Sequence, residues 1–248
     1  MIRAMIFDLD GTLVQTERLK ALSYARATAE LCPHEVSEGQ VIEAFKQVVG
    51  LARQEVAQTL VEQFELQEKA AGRMAEFGVS TPWQAFIQVR LQHYESMLAD
   101  PQVLLKNRWS HNLALLEEAR KAQCQTGLAT MSSCRHAQRV LEVLKLQDDF
   151  DFVATRDDVN QGKPDPEIYN LVAAELDIPA DQCLVIEDSP AGVKAALAAG
   201  MWCIAVTTPF TRSAIHKQEL LEERWVVDDP DILLSVVQEM LSAHAHDR

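Results

Sequence analysis

Two aspartates flanking Leu9, Asp8 and Asp10, follow a short apolar run and precede Gly11. A buried strand that turns at a glycine can aim both carboxylates into one crevice. A lone cap of the next turn explains one aspartate but does not need two. Three further polar clusters lie downstream. Thr130-Met131-Ser132-Ser133 is a hydroxyl-rich turn, open to reading as a helix N-cap or as a hydroxyl facing the same crevice. Gly162-Lys163-Pro164-Asp165-Pro166 is a loop stiffened by two prolines; Lys163 is either presented by it or simply solvated. Glu187-Asp188-Ser189-Pro190 closes an apolar run and starts a helix at the proline. An N-cap accounts for Asp188 or Ser189 there, but leaves Glu187 unexplained.

Short apolar runs must position these clusters. Strands are expected at 4–9, 126–130, 152–154, 184–186, 203–206 and 225–227. Helical stretches separate the later ones, at 112–121, 134–144, 166–176, 191–199 and 215–221, and a last helix covers 231–243. Alternation of this kind means a parallel sheet with helices on both faces. Between residues 16 and 98 there is almost no strand signal, and Val56, Leu60, Val61 and Phe64 fall at helical spacing. The expected fold class is therefore α/β: a doubly wound, Rossmann-like core of residues 1–15 and 101–248, with an all-α cap of four or five helices, residues 16–100, inserted after the first strand. The two linkers, near 14–16 and 100–103, would act as a hinge.

In doubly wound sheets, ligands gather at the carboxyl ends of the strands, where all four clusters fall. Like charges about 4 Å apart repel by about 4 kcal/mol at an effective dielectric near 20. Asp8, Asp10, Glu187 and Asp188 could not all stay ionised together unaided. Lys163 supplies one positive charge, and a divalent cation would supply the rest. All-oxygen ligation selects a hard cation, with Mg2+ the default where a phosphate shares the site.

In order and spacing these residues resemble the haloacid dehalogenase superfamily of aspartyl-phosphate enzymes. The four motifs stand as Asp8-Leu9-Asp10-Gly11-Thr12-Leu13, Leu128-Ala129-Thr130, Gly162-Lys163-Pro164 and Ile186-Glu187-Asp188-Ser189. With the helical insert the resemblance covers nearly the whole chain. The insert is similar to the cap of the branch containing β-phosphoglucomutase, CbbY and phosphoglycolate phosphatase. The resemblance implies Asp8 as nucleophile and Asp10 as general acid, then general base. It implies Mg2+ held by Asp8, the Asp10 carbonyl and Asp188, with Glu187 in the outer shell, and Thr130 and Lys163 on the phosphoryl oxygens. Superfamily dehalogenases lack the second aspartate, so dehalogenation is not expected.

The chain departs from the family in places. Met131 stands where phosphatases often have asparagine, which puts nearby contacts such as those of Ser132 in question. Lys20 stands where the mutase has a histidine that places the sugar. Gly50-Leu51-Ala52-Arg53 resembles the cap's substrate loop. Arg53 is then either a clamp on a distal anion or a surface arginine, and Lys20 either a substrate contact or a solvated helix residue.

The expected activity is hydrolysis of a small phosphorylated metabolite, a sugar phosphate, by a Mg2+-dependent phosphatase. The alternatives are a phosphomutase using the same intermediate and a catalytically silent binding protein. Composition narrows the partners. Lys and Arg total 23 against 37 Asp and Glu, a net charge of −14, which disfavours phosphate backbones and anionic lipid, so no nucleic acid and no membrane are expected. The five cysteines form no CxxC pair, and Cys183 and Cys203 lie in apolar runs; reduced thiols in the cytoplasm fit best. A monomer or weak dimer is expected.

Overall fold

In the computed structural model the described residues are 1–33, 35–49, 51 and 53–246. They fall into two compact units, Met1–Gln15 with Leu104–Arg248, and Thr16–Val103. The first strand, β1, is Ala4–Phe7, every residue buried. The helical unit follows with α1 (Thr16–Leu31), α2 (Glu38–Val48), α3 (Arg53–Gln63), α4 (Gln67–Ala71), α5 (Met74–Phe77) and α6 (Pro82–Ala99).

Local chemistry sets several of these boundaries. Ser37 and Gln40 form a capping box that starts α2. Pro82 opens α6, and the Gln84 side chain accepts from the Ser80 and Thr81 amides at 3.1 Å. Gly78, at φ 62°, ends α5 in the left-handed conformation that costs glycine little. The rings of Tyr24, Phe45 and Phe86 meet at 5.5 and 5.7 Å, joining α1, α2 and α6 around a buried aromatic cluster. The second chain crossing falls at Val103–Leu104, inside α7 (Pro101–Lys106), three residues beyond the sequence boundary.

The α/β unit continues with α8 (Ser110–Lys121), β2 (Gln125–Ala129), α9 (Cys134–Leu144), β3 (Phe152–Ala154), α10 (Glu167–Glu175), β4 (Cys183–Glu187), α11 (Pro190–Ala198), β5 (Trp202–Val206), α12 (Arg212–Gln218), β6 (Val226–Val227) and α13 (Leu233–His246). The strands form one parallel sheet in the order β3-β2-β1-β4-β5-β6. This is the doubly wound order, with its switch beside β1. Ala4 is in register with Gln125 on one side and Cys183 on the other, so the strand N-termini are level.

Side chains alternate between the two faces. Ala4, Ile6, Ala129, Val185 and Cys203 share a core with Ile168, Tyr169 and Val172 of α10 and Val193 of α11. Full burial of an Ile or Val side chain here is worth roughly 1.5–3 kcal/mol. The chain crossings lie side by side in this unit: the Gln15 amide donates to the Asn107 carbonyl at 2.7 Å, and the Trp109 amide to Leu13 at 2.9 Å. Strand β1 stops two residues short of the expected run, which frees Asp8, Leu9 and Asp10 for the turn. Helix α12 lies three residues earlier than expected. Hydrogen bonds between the Thr208 and Thr211 hydroxyls and nearby amides nucleate it, and Glu219, at φ 46°, ends it.

Candidate active site

The site is built at the carboxyl ends of β1, β2 and β4. Asp8 sits one residue past β1, and its amide still donates to the Ile186 carbonyl of β4 at 3.0 Å. That bond fixes the carboxylate beside the β4 terminus. Gly11 then turns the chain at φ 92°, where a side chain is strained, and its amide donates to Val14 at 2.7 Å. A Cβ at Gly11 would stand 2.1 Å from Asp188 Oδ2. Only glycine leaves room for that carboxylate.

Lys163 enters from the loop after β3, next to a cis Lys163–Pro164 peptide. Its ammonium donates three hydrogen bonds: to Asp8 Oδ1 at 2.7 Å, Glu187 Oε1 at 2.6 Å and the Ala129 carbonyl at 2.9 Å. It also lies 4.9 Å from the Tyr169 ring centroid. Burial pulls its pKa down, but Asp8 and Glu187 more than offset this and hold it above the usual lysine value.

Glu187 is saturated. Its Oε1 accepts from Lys163 and from the Tyr169 hydroxyl at 2.9 Å, and its Oε2 accepts from the Asp188 and Ser189 amides and the Ser189 hydroxyl at 2.9–3.1 Å. Gly192 of α11 packs against it; a Cβ there would fall 1.7 Å from Oε1. Asp10 turns the other way. Its Oδ2 accepts from Ser132 Oγ at 2.6 Å and Thr130 Oγ1 at 3.1 Å, and the Ser132 amide donates back to Thr130 Oγ1 at 3.0 Å.

Carboxylate oxygens of Asp8, Glu187 and Asp188 lie within 4.8 Å of one another, all buried. One lysine neutralises only part of that charge. Burial pushes the Asp8 carboxyl up to about 8, and Glu187 and Asp10 reinforce the shift against the pull of Lys163. A hard divalent cation among these oxygens fits: all donors are oxygen, and its charge would return Asp8 to the carboxylate form. Glu187 already has its lone pairs engaged, so Asp8 and Asp188 are the side chains best placed to hold the ion. The Asp10 carboxylate lies outside the triad and faces hydroxyls.

The sequence profile of the haloacid dehalogenase-like hydrolases matches residues 5–206. The chain belongs to that family. A phosphorylated carbohydrates phosphatase from Thermotoga maritima (strain ATCC 43589 / DSM 3109 / JCM 10099 / NBRC 100826 / MSB8) is 30% identical over 241 residues, 97% of this chain and 100% of the relative. Hexitol phosphatase A from Escherichia coli (strain K12) is 30% identical over 237 residues, 92% and 96% of the two chains. The crystal structure of a haloacid dehalogenase family hydrolase from Deinococcus radiodurans R1, with bound phosphate and sodium, superposes with a TM-score of 0.72 at 23% identity, covering 96% of each chain. The protein is thus an enzyme, a haloacid dehalogenase-like phosphoric monoester hydrolase.

Asp8, Asp10, Thr130, Ser132, Lys163, Glu187 and Asp188 of this hydrolase come together in the α/β unit. Lys20 and Arg53 belong to the helical unit. Lys20 is paired with Glu17 at 2.8 Å, and Arg53 is exposed at the start of α3. Gly50 and Ala52 of the expected substrate loop lie outside the described residues. Sequence reasoning missed Tyr169 and Gly192. A tyrosine on the buried face of a helix needs a partner for its hydroxyl, which is the one signal that could have exposed Tyr169. No described helix is long and apolar enough to cross a membrane.

Proposed function

We propose that this enzyme hydrolyses a small phosphorylated metabolite of the sugar-phosphate class through an aspartyl-phosphate on Asp8. The observation that supports this most strongly is the Asp8 carboxylate, held by Lys163 at 2.7 Å inside a buried acidic triad, with Asp10 two residues on. A carboxylate fixed in this way is a competent nucleophile. The Asp8 oxygen bonds to phosphorus as the ester P–O bond breaks, and Asp10 gives its proton to the departing oxygen. Asp10 then takes a proton from the water that attacks phosphorus, releasing phosphate and regenerating Asp8. Lys163 keeps Asp8 oriented and places positive charge beside the transferring group, while Thr130 and Ser132 donate to Asp10 Oδ2 and hold the acid in place. Asp8, Asp188 and the Asp10 carbonyl would hold Mg2+, whose charge would stabilise the phosphoryl oxygens, while Glu187 fixes the surrounding amides. The named phosphatases among the relatives support the substrate class. The same proposal puts the enzyme in the cytoplasm, a reading supported by five free thiols, and takes it as a monomer or weak dimer.

The test is phosphate release from a panel of phosphorylated metabolites, with and without Mg2+, beside the Asp8→Asn variant. Metal-dependent release that vanishes in the variant is expected. Isomerisation of hexose phosphates that needs a bisphosphate, with no release, would replace hydrolysis with a mutase.

A further inference from the structure

Lys163 acts from a loop, and loops are the more mobile parts of an α/β unit. Its side chain is 4% exposed and meets Asp8, Glu187 and the Ala129 carbonyl together at 2.6–2.9 Å. Precision of that kind needs a fixed backbone behind the side chain. The peptide just ahead of Lys163 is held by two side chains of opposite charge. The Glu167 carboxylate, in the first turn of α10, accepts from the Asn160 amide at 2.9 Å and from the Gln161 amide at 2.6 Å, one oxygen to each. Arg156 takes the carbonyl side: its Nη1 donates to Val159 at 2.6 Å and its Nη2 to Asn160 at 3.4 Å. Among the described residues, the Asn160 and Gln161 amides donate to no backbone carbonyl. A carboxylate and a guanidinium thus replace the hydrogen bonds that a strand or helix would supply.

Glu167 is free for this role because Asp165 serves the helix start, its Oδ1 accepting the Glu167 amide at 2.9 Å. The Asn160 and Gln161 amides hold the Glu167 carboxyl below the usual glutamate value, and Arg156 adds to the effect. Arg156 is itself anchored. It opens the turn Arg156–Asp158, in which Asp158 accepts from the Thr155 amide at 2.8 Å and the Thr155 hydroxyl at 2.7 Å. Its own amide donates to the Ser132 carbonyl at 3.0 Å. Met131 closes the other side, for a Cβ at Gly162 would stand 2.8 Å from the Met131 Cε. The backbone is therefore held up to the residue before Lys163.

We propose that Glu167 is a positioning residue of the reaction, with Arg156 as its counterpart: together they fix the 159–161 peptide and, through it, the reach of the Lys163 ammonium onto Asp8. The catalytic consequence rests on the phosphatase reading above. Misplacing a group of the site by about 1 Å costs about 10²-fold in rate, so loss of the clamp reaches the chemistry although Glu167 touches no reacting atom.

The test compares Glu167→Ala, Glu167→Gln and Arg156→Met with the wild-type chain and with Glu175→Ala, which removes the same charge from the exposed far end of α10. Lysine access is read by brief acetylation with acetic anhydride and peptide mass mapping, well below the Tm of each variant. Lys163 should label at least about five-fold faster in Glu167→Ala and Arg156→Met, while Lys121, exposed on α8, labels at an unchanged rate. On a substrate that the wild type hydrolyses, Glu167→Ala should lose at least about ten-fold in kcat with little change in KM. Glu167→Gln keeps one acceptor oxygen and should recover part of both readouts, and Glu175→Ala should match the wild type. A merely structural role predicts a lower Tm with wild-type labelling of Lys163 and wild-type kcat, which would overturn the proposal. A loss of kcat without faster labelling of Lys163, or faster labelling without a loss of kcat, overturns it equally. The labelling needs no substrate. If no phosphorylated metabolite is hydrolysed, the phosphatase reading fails, and the clamp still stands or falls on Lys163.

Discussion

Lys163 and Glu187 form a 2.6 Å salt bridge in which neither side chain is more than 4% exposed. The same Glu187 oxygen takes the Tyr169 hydroxyl, and the same ammonium takes Asp8. The pair is therefore the joint between the loop after β3 and the end of β4. Removing one member of a buried pair leaves an uncompensated charge and costs about 3–5 kcal/mol. Glu187→Gln preserves the shape and removes the charge. At roughly 2–4 °C per kcal/mol for a chain of this size, its Tm should fall by at least ~6 °C. Tyr169→Phe removes one donor to a charged acceptor and should cost about 1.5–3 kcal/mol. Thermal unfolding of both variants checks this. A Glu187→Gln loss no larger than that of Tyr169→Phe would mean that the ion pair contributes nothing beyond its hydrogen bonds.

Much of this site was legible because its residues follow strands whose apolar runs are unmistakable. Asp8 and Asp10, Thr130, Lys163 and Glu187 with Asp188 could each be placed at a strand end from pattern alone. What pattern could not decide is direction. Asp8 and Asp10 share a turn, and nothing in their spacing says that Asp8 meets Lys163 while Asp10 meets Ser132. Buried polar side chains on helices were also invisible. Arg90 in Gln88-Val89-Arg90-Leu91 looks like an ordinary solvated position, since it is the packing of α1 against α6 that brings Tyr24 over it to join Tyr94 of its own helix. The early start of α12 escaped for a similar reason: hydroxyl-to-amide bonds in the Thr208–Thr211 turn outweighed the apolar period.

Asp8 makes stability depend on pH in a definite direction. Its carboxyl is raised to about 8 in the folded chain from an ordinary value of 3.8. The folded state thus binds a proton more tightly than the unfolded one, and stability falls as pH rises from about 4 towards 8. Lys163 stays charged across this window and contributes no opposing slope. In the presence of a chelator, wild-type Tm should fall from pH 5 to pH 8 relative to Asp8→Asn, even if the variant starts lower through loss of the Lys163 partner. Adding Mg2+ should flatten the wild-type slope. Parallel Tm profiles for the two proteins would show that Asp8 is not the group responsible.

Ser132 and Thr130 both donate to Asp10 Oδ2, but they are not equivalent. Thr130 also accepts the Ser132 amide, so it holds the turn as well as the acid. Ser132→Ala removes the 2.6 Å bond alone and should lower kcat about ten-fold, the equivalent of about 1.4 kcal/mol in the barrier. Thr130→Ala should lose more, because the Ser132 amide loses its acceptor too. Steady-state kinetics on one substrate separate the two. Equal losses, or a Ser132→Ala effect confined to KM, would place Ser132 on the ground-state phosphate instead of on Asp10.

Gly11 and Gly192 are the sites where a single methyl group should do most damage, and they should do it differently. At Gly192 the added Cβ would overlap Glu187 Oε1 at 1.7 Å, and that carboxylate cannot retreat without giving up Lys163, Tyr169 and its amide donors. Gly192→Ala should therefore lose stability on the scale of Glu187→Gln or more. At Gly11 the overlap is with Asp188 Oδ2 at 2.1 Å, and φ 92° adds backbone strain of order 1–3 kcal/mol. Asp188 is displaced there while the Lys163–Glu187 joint is untouched. Gly11→Ala should then keep its fold with a modest Tm loss, but require at least ten-fold more Mg2+ for half-maximal activity. Tm and Mg2+ titration measured together on the two variants check the contrast. If Gly11→Ala kept the wild-type Mg2+ requirement, Asp188 would lose its assignment as a metal ligand, and the cation would have to be held by Asp8 and Glu187 instead.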